Sequence, residues 1–283
     1  MEMKVSIAYL GPTGTNSETA ALAYANWLAE RKQQQAVLRS YPSIARTLNS
    51  VASGEINFAV VPIENSIEGS VTVVLDAFWQ SENLKIIQGL TLPIAHGLLS
   101  YNSSLAGIKT VYSHPQALAQ CQKWLEKFLP QAKLVAANST TEAIQFLKHD
   151  FSSAAISAPR AAQLYQVPLL EPDINDRPDN HTRFWLVGLA GSEDGKYLSL
   201  AFSLPENAPG VLVKALQIFA SRNLNLSKIE SRPTKRSLGE YIFFIDLEGN
   251  LDNPIVKAAL AELADCTERL KIFGNYNLLS ITE

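Results

Sequence analysis

Cysteine is almost missing from this chain of 283 residues: Cys121 and Cys266 are the only two. Without a Cys-x-x-Cys pair, neither a disulfide framework nor a thiolate zinc site is expected. Both lie on apolar helical stretches, where a free thiol acts as a small hydrophobe. The histidines, His96, His114, His149 and His181, show no paired ligand spacing, so no metal is expected either. Charge is sparse as well. Only 18% of residues are charged, and 24 basic against 27 acidic side chains leave a net charge of −3. That balance gives no footprint for nucleic acid or an anionic membrane, so an anionic ligand must be held by local groups. No segment reaches the ~18 uncharged apolar residues of a membrane span. The N-terminus, Met1–Ile7, has no basic stretch followed by a long apolar one, so no export signal is expected and the chain reads as cytoplasmic. Gly11–Ser17 lacks the Gly-Lys-Ser/Thr ending of a phosphate loop, no G-x-G-x-x-G opens a helix, and no Gly-x-Ser-x-Gly elbow is present.

What the chain does have is a 47% hydrophobic composition over a length that suggests about two domains. Residues 4–10 read as a buried strand, followed by the turn Gly11–Gly14 and a helix with Ala21, Tyr24, Ala25 and Leu28 at helical spacing. Residues 58–63 read as a second strand, then a helix carries Val71, Val74, Leu75 and Phe78. Strand 109–112 leads into one helix carrying Ala117, Cys121, Trp124, Leu125 and Phe128. Strand 132–136, helix 140–148, strand 153–156, helix 158–165 and strand 182–189 follow. This alternation predicts parallel sheets covered on both faces. Gly191–Gly195 reads as a linker. Beyond it strand 197–204, helix 209–221, strands 225–232 and 239–247, helix 253–264 and strand 267–273 spell βαββαβ, a ferredoxin-like plan.

Three helix starts carry a capping box: Thr15 with Glu18, Ser113 with Gln116, and Ser139 with Glu142. A fourth helix is expected from Ser70, after Gly69. Strand-to-helix turns lie where ligands bind in open α/β sheets, and free N–H groups there can hold a carboxylate. A capping box by itself starts a helix and nothing more. Two further segments carry more polar groups than a scaffold needs. Pro62–Ser70 puts a carboxylate, an amide and hydroxyls at a strand end, and Asp179–Phe184 puts Asn180, His181, Thr182 and Arg183 before an apolar strand. Turn chemistry accounts equally well for Asn65 and Gly69. Arg183 is either an edge residue or a cation beside a bound carboxylate.

Together, and in order over essentially the whole chain, these segments resemble prephenate dehydratases with a C-terminal ACT-type regulatory domain. Tyr9–Thr15 with Ser17-Glu18, Val61–Ser66 with Gly69, Ser113–Leu118 with Gln120-Cys121, and Asn180 with Thr182-Arg183-Phe184 look like the family's catalytic motifs. Pro209–Val213 and Glu230–Pro233 look like its two phenylalanine-binding motifs. One position departs: Val211 stands where alanine is usual, adding bulk near the effector pocket. The chain starts at the first dehydratase strand, which resembles the monofunctional form.

The resemblance implies an α/β fold, with a two-lobed catalytic region like type II periplasmic binding proteins over residues 1–190. Lobe one would be 1–80 plus 170–190 and lobe two 90–165, with an ACT domain over 197–275. It implies decarboxylating dehydration of prephenate to phenylpyruvate, without cofactor or metal. Thr182 would assist departure of the ring hydroxyl. Thr15, Asn65, Ser66, Ser113, Gln116, Asn180, Arg183 and Phe184 would hold the substrate. Asn207, Gly210, Val211, Leu212, Val213, Glu230, Ser231 and Arg232 would bind phenylalanine as feedback effector, in a homodimer or homotetramer. Two alternatives stay open on the residues: an arogenate dehydratase, with the same chemistry on an amino-bearing substrate, and a non-catalytic sensor. A sensor would carry an output element such as a helix-turn-helix, and none is read before residue 4 or after 273.

Overall fold

Val5–Leu10 is apolar at nearly every position because it lies inside a sheet, paired with Ala36–Tyr41 on one side and Phe58–Asn65 on the other. The computed structural model describes residues 4–192 and 194–281; Met1–Met3 and Glu193, parts of the N-terminal and linker readings, lie outside the described residues. The first lobe contains β1 (Val5–Leu10), α1 (Asn16–Lys32), β2 (Ala36–Tyr41), α2 (Ile44–Ala52), β3 (Phe58–Asn65), the two-residue β4 (Gly69–Ser70), α3 (Thr72–Gln80) and β5 (Lys85–Pro93). The second contains β6 (Gly97–Leu99), β7 (Thr110–Ser113), α4 (Pro115–Gln120), α5 (Gln122–Phe128), β8 (Lys133–Ala136), α6 (Glu142–Gln145), β9 (Ser153–Ser157), α7 (Pro159–Tyr165) and β10 (Leu169–Glu171). The chain then returns as β11 (His181–Gly188), which inserts between β3 and β5.

The lobe sheets run β5-β11-β3-β1-β2, extended beyond β5 by a strand from the chain's end, and β10-β6-β9-β7-β8. Both are mixed, not purely parallel, because β11 is antiparallel to β3 and β5, and β6 to β9. The lobe limits also differ from the sequence reading. All of β5 belongs to lobe one, and β10 belongs to lobe two, so the chain crosses at 94–96 and 172–180. The helix read through Cys121 is two helices. Cys121 leaves helical geometry (φ −119°), and the Asp176 carboxylate accepts the N–H groups of Lys123 and Trp124, capping the second helix. Helix 140–148 is likewise short, a single α turn continued as 3₁₀.

The C-terminal unit contains β12 (Tyr197–Ser203), α8 (Val211–Ala220), β13 (Leu226–Pro233), β14 (Tyr241–Glu248), α9 (Pro254–Asp265) and β15 (Arg269–Tyr276), in sheet order β13-β14-β12-β15. It is the βαββαβ plan read from the sequence. Helices α8 and α9 cover one face of this sheet. The other face packs on lobe one: Ala201, Ile242, Phe244, Phe273 and Tyr276 share one core with Ile63, Phe78, Ile86, Trp185 and Val187. Backbones approach closely here, since a Cβ on Gly274 would collide with the Ile86 carbonyl oxygen. The tail then re-enters the first lobe as β16 (Leu278–Ser280), parallel to β5, a strand the sequence reading did not foresee. Among the described residues no helix is long and apolar enough to cross a membrane.

Phe78 is fully buried in this shared core, edge-on to Trp185 at 5.0 Å and to Phe273 at 5.4 Å. Phe78→Ala is expected to lower unfolding free energy by about 3–5 kcal/mol. Urea denaturation should show the lower midpoint, and a loss under about 1 kcal/mol would mean that the cavity collapses or the two units pack less tightly than described.

Candidate active site

A cavity of about 770 Å³ separates the two lobes. Four helix starts reach its wall. Thr15 caps α1, its Oγ1 accepting the Glu18 N–H at 3.4 Å. His114 caps α4 through Nδ1, which accepts the Gln116 N–H. Ser139 Oγ accepts the Glu142 N–H at the start of α6, and Val71 precedes α3. The capping box placed at Ser113 is therefore shifted by one residue. Ser113 is the fully buried last residue of β7, its hydroxyl given to the Ile156 carbonyl, and it does not line the cavity. Its place as a substrate contact is corrected to a strand-end anchor.

Asn65, at the end of β3, is the best defined group on the wall. Its Oδ1 accepts the backbone N–H groups of Ile67 and Glu68, which fixes the orientation of the amide. Nδ2 must then donate, and it does so to Thr182 Oγ1 at 2.9 Å and Asn180 Oδ1 at 2.8 Å. Thr182 is thus an acceptor toward Asn65, and its own hydroxyl proton is free to turn to the cavity that it lines. The polarity continues inward. Asn180 Oδ1 also receives Ser66 Oγ, so its Nδ2 donates to Gln120 Oε1 at 3.0 Å. Gln120 Nε2 donates to Glu68, and His96 Nε2, 3.1 Å from Gln120 Oε1, must carry the proton. His96 is buried and its Nδ1 has no partner among the described residues. Burial holds this imidazole below its usual pKa, against the Gln120 hydrogen bond that raises it.

The structure brings the expected catalytic Thr182 and, of the expected substrate contacts, Thr15, Asn65, Gln116 and Phe184 to the cavity wall. Asn180 is fully buried behind it, and Ser66 braces Asn180 and the His181 N–H. Arg183 is a correction. Successive strand residues point to opposite faces, so with Thr182 and Phe184 facing the cleft, Arg183 faces the C-terminal unit, 2.9 Å from Glu64 and 2.5 Å from Asp246. No lysine or arginine is among the described residues lining the cavity. Wall residues not named as contacts include His114, Gln120 and His96. Gln120 lies one helical turn after Gln116, a spacing that could have been used; for His96 the sequence carries no such signal.

The family model for prephenate dehydratase matches residues 7–191, and that for the ACT domain matches 199–265. The chain belongs to the prephenate dehydratase family. A prephenate dehydratase of Lactococcus lactis subsp. cremoris (strain MG1363) is 38% identical, over 99% of this chain and 100% of that one. Among solved structures, prephenate dehydratase of Arthrobacter aurescens in complex with L-Phe superimposes with a TM-score of 0.86 at 36% identity, over 96% of this chain and 90% of that one. A protein described as a novel type of quorum quenching acylase superimposes with a TM-score of 0.80 at 25% identity, over 97% and 98%.

Asn207, Val211 and Leu212, three of the expected effector residues, lie together on a second cavity of about 610 Å³ in the C-terminal unit. Gly210 starts α8 in left-handed conformation (φ +85°), and Val213 is exposed. Ser231 is exposed on the outer face of β13. Glu230 and Arg232 differ from the expectation. They occupy the inner face of β13 and are engaged by the catalytic region, Glu230 by Ser70 Oγ and Arg232 by Asp76.

Asn65→Asp keeps the acceptor that Ile67 and Glu68 need and removes the donor facing Thr182. The threonine proton would then be drawn to the carboxylate, so kcat per folded molecule should fall about 10²-fold or more, with a lower Tm because the buried carboxylate also faces Asn180 Oδ1; an unchanged kcat would contradict the assigned polarity. For His96, the unfolded chain takes a proton near pH 6.5 where the native state resists it. Stability should therefore decline as pH falls below about 6.5, by at most about 1.4 kcal/mol per pH unit. His96→Gln should flatten that part of the profile in urea titrations, and an identical slope in both proteins would count against a neutral His96.

Proposed function

We propose that this protein catalyses the decarboxylating dehydration of prephenate to phenylpyruvate in the cleft between its lobes, as a lyase of phenylalanine biosynthesis. The observation that carries the reading, within this family, is the Thr182 hydroxyl held as an acceptor by Asn65 at the cavity wall, which leaves its proton free to turn to the cavity. The dianion of prephenate takes up one proton and yields carbon dioxide, water and phenylpyruvate. The ring C–O bond breaks as the ring carboxylate departs, and aromatisation drives both. Thr182 donates a hydrogen bond to the departing hydroxyl. The Gln116 amide and the helix starts at Thr15 and His114 hold the carboxylates without a formal cation, while the Asn65 amide is fully committed to Thr182, Asn180 and its own turn. Phe184, Ile94 and Pro62 supply a dry side for the carboxylate that loses its charge.

Residues 1–190 are read as the catalytic region and 197–275 as the ACT domain. Because the Arthrobacter aurescens relative is described as a complex with L-Phe, we assign phenylalanine feedback to the C-terminal cavity beside Asn207, Val211 and Leu212, in a homodimer or homotetramer. No described cleft hydroxyl is hydrogen-bonded to an imidazole, so the acylase activity of the other relative gains no support here.

The test is turnover of prephenate and, separately, arogenate, with and without phenylalanine. Prephenate should be the better substrate and phenylalanine should slow it; faster arogenate turnover would rename the substrate. Thr182→Ala should cost on the order of 10²–10⁴ in kcat, while Thr182→Ser, which keeps the hydroxyl, should stay within about tenfold. A loss under tenfold for the alanine variant, with the fold intact, would sink the role given to Thr182.

A further inference from the structure

Four charges alternate in the seam behind the active site. Lys228 Nζ of β13 lies 3.3 Å from Glu64 Oε1, Glu64 Oε2 lies 2.9 Å from Arg183, and Arg183 lies 2.5 Å from Asp246 on β14. The Asp246 side chain is 6% exposed and that of Arg183 15%, so water does little to screen the pair. Burial works against the guanidinium charge, and the facing carboxylates of Asp246 and Glu64 more than offset it, raising its pKa. Asp246 is anchored in its own sheet by Ser199, whose hydroxyl donates to Oδ1. Glu64 and Arg183 are directly opposite in the β3–β11 register, as are Asn65 and Thr182 one step along. The Asn65–Thr182 pair that defines the catalytic polarity is therefore backed, one residue away, by an ion pair whose outer partner belongs to the C-terminal unit.

We infer that Arg183 is a positioning residue, with Asp246 as its counter-charge, and that this contact is where the C-terminal domain sets the placement of Thr182. The inference rests on the function proposed above. A displacement of β14 against lobe one moves the carboxylate that Arg183 follows. Arg183, held between Asp246 and Glu64 and next in the chain to Thr182, passes part of such a displacement to the Thr182 backbone. A guanidinium with carboxylates on both sides transmits such a shift in a defined direction, whereas an apolar contact would slide. Coupling of effector to rate then needs no contact between effector and cleft, only states of the β14 seam that differ in affinity for the effector.

The experiment compares the wild-type full chain with Asp246→Asn, which keeps size and the Ser199 contact and removes the charge. The expected result is a kcat lower by roughly 10- to 100-fold, with KM for prephenate within about threefold and the slowing by phenylalanine reduced to less than half. A purely structural role would lower the amount of folded enzyme without this split. If Asp246→Asn does not fold, the pair is replaced as a unit, Arg183→Met with Asp246→Leu. That removes both buried charges and leaves Glu64 with Lys228; it should fold and show the same kcat loss and blunted phenylalanine response. Wild-type kcat with full phenylalanine response in either variant overturns the inference. Hydrogen exchange of peptides covering β3 and β11 is read in the same proteins. Should wild type fail to turn over prephenate, the functional reading fails separately. Faster exchange at β3 and β11 in the variant would then still support the positioning role, and unchanged exchange would overturn it.

Discussion

Two backbone N–H groups, those of Ile67 and Glu68, converge on one oxygen of Asn65. A backbone N–H can only donate, so the amide has one permitted orientation, and every hydrogen bond beyond it inherits a direction. Asn65 donates to Thr182 and Asn180, Asn180 donates to Gln120, and His96 donates to the same Gln120 oxygen. The turn after β3 thereby decides the tautomer of a histidine in the hinge between the lobes and the free direction of a hydroxyl in the cleft. Buried polar networks of this kind are stable only when every member is satisfied, and His96 Nδ1 is its one described atom without a partner.

Strand β11 carries two duties on its two faces. Thr182 and Phe184 look into the cleft; Arg183 and Trp185 look into the seam with the C-terminal sheet. The apolar part of that seam, around Phe78, Trp185 and Phe273, supplies the adhesion. The charges supply register. Removing one member of a buried ion pair costs about 3–5 kcal/mol because its partner is left uncompensated, although the intact pair itself adds little net stability. Such a group is therefore better suited to fixing where two sheets sit than to holding them together.

Much of this was legible in the sequence. The strand and helix alternation, the change of rhythm after Gly191 and the βαββαβ order all depend on local periodicity, which survives in a single chain. The cleft residues Thr15, Asn65, Gln116 and Thr182 were named through the resemblance to the prephenate dehydratase motifs, because capping accounts equally well for Thr15 and Gln116 and turn chemistry for Asn65. What failed to show depends on partners remote in sequence. Arg183 looked like a candidate anion clamp because nothing local announces that Asp246, 63 positions later, will face it. Glu230 and Arg232 were assigned to an effector for the same reason, while Ser70 and Asp76 claim them. The break at Cys121 is set by Asp176 from the returning segment. The cap at His114 was missed because Ser outranks His as an N-cap by propensity, yet the hydroxyl of Ser113 is already given to Ile156.

The absence of lysine and arginine among the described residues of the cavity wall fits the chemistry proposed for it. A carboxylate that leaves as carbon dioxide carries its full charge in the ground state and less in the transition state. A guanidinium beside it would stabilise the ground state more than the transition state and so slow the step, because only interactions that strengthen on the way to the transition state accelerate it. Helix starts and amide donors grip an anion more weakly, with partial charges near half a unit. They leave less to be undone as the charge disperses, and the apolar wall of Ile94, Pro62 and Phe184 favours the neutral product. The other change, departure of the ring hydroxyl, needs a donor whose hydrogen bond strengthens as charge develops on oxygen, and Thr182 is placed with its proton free for that. The same physics accounts for the one arginine in the motif pointing away. Turned toward the cleft it would hold the group that must leave; turned toward Asp246 it holds the strand that carries the donor.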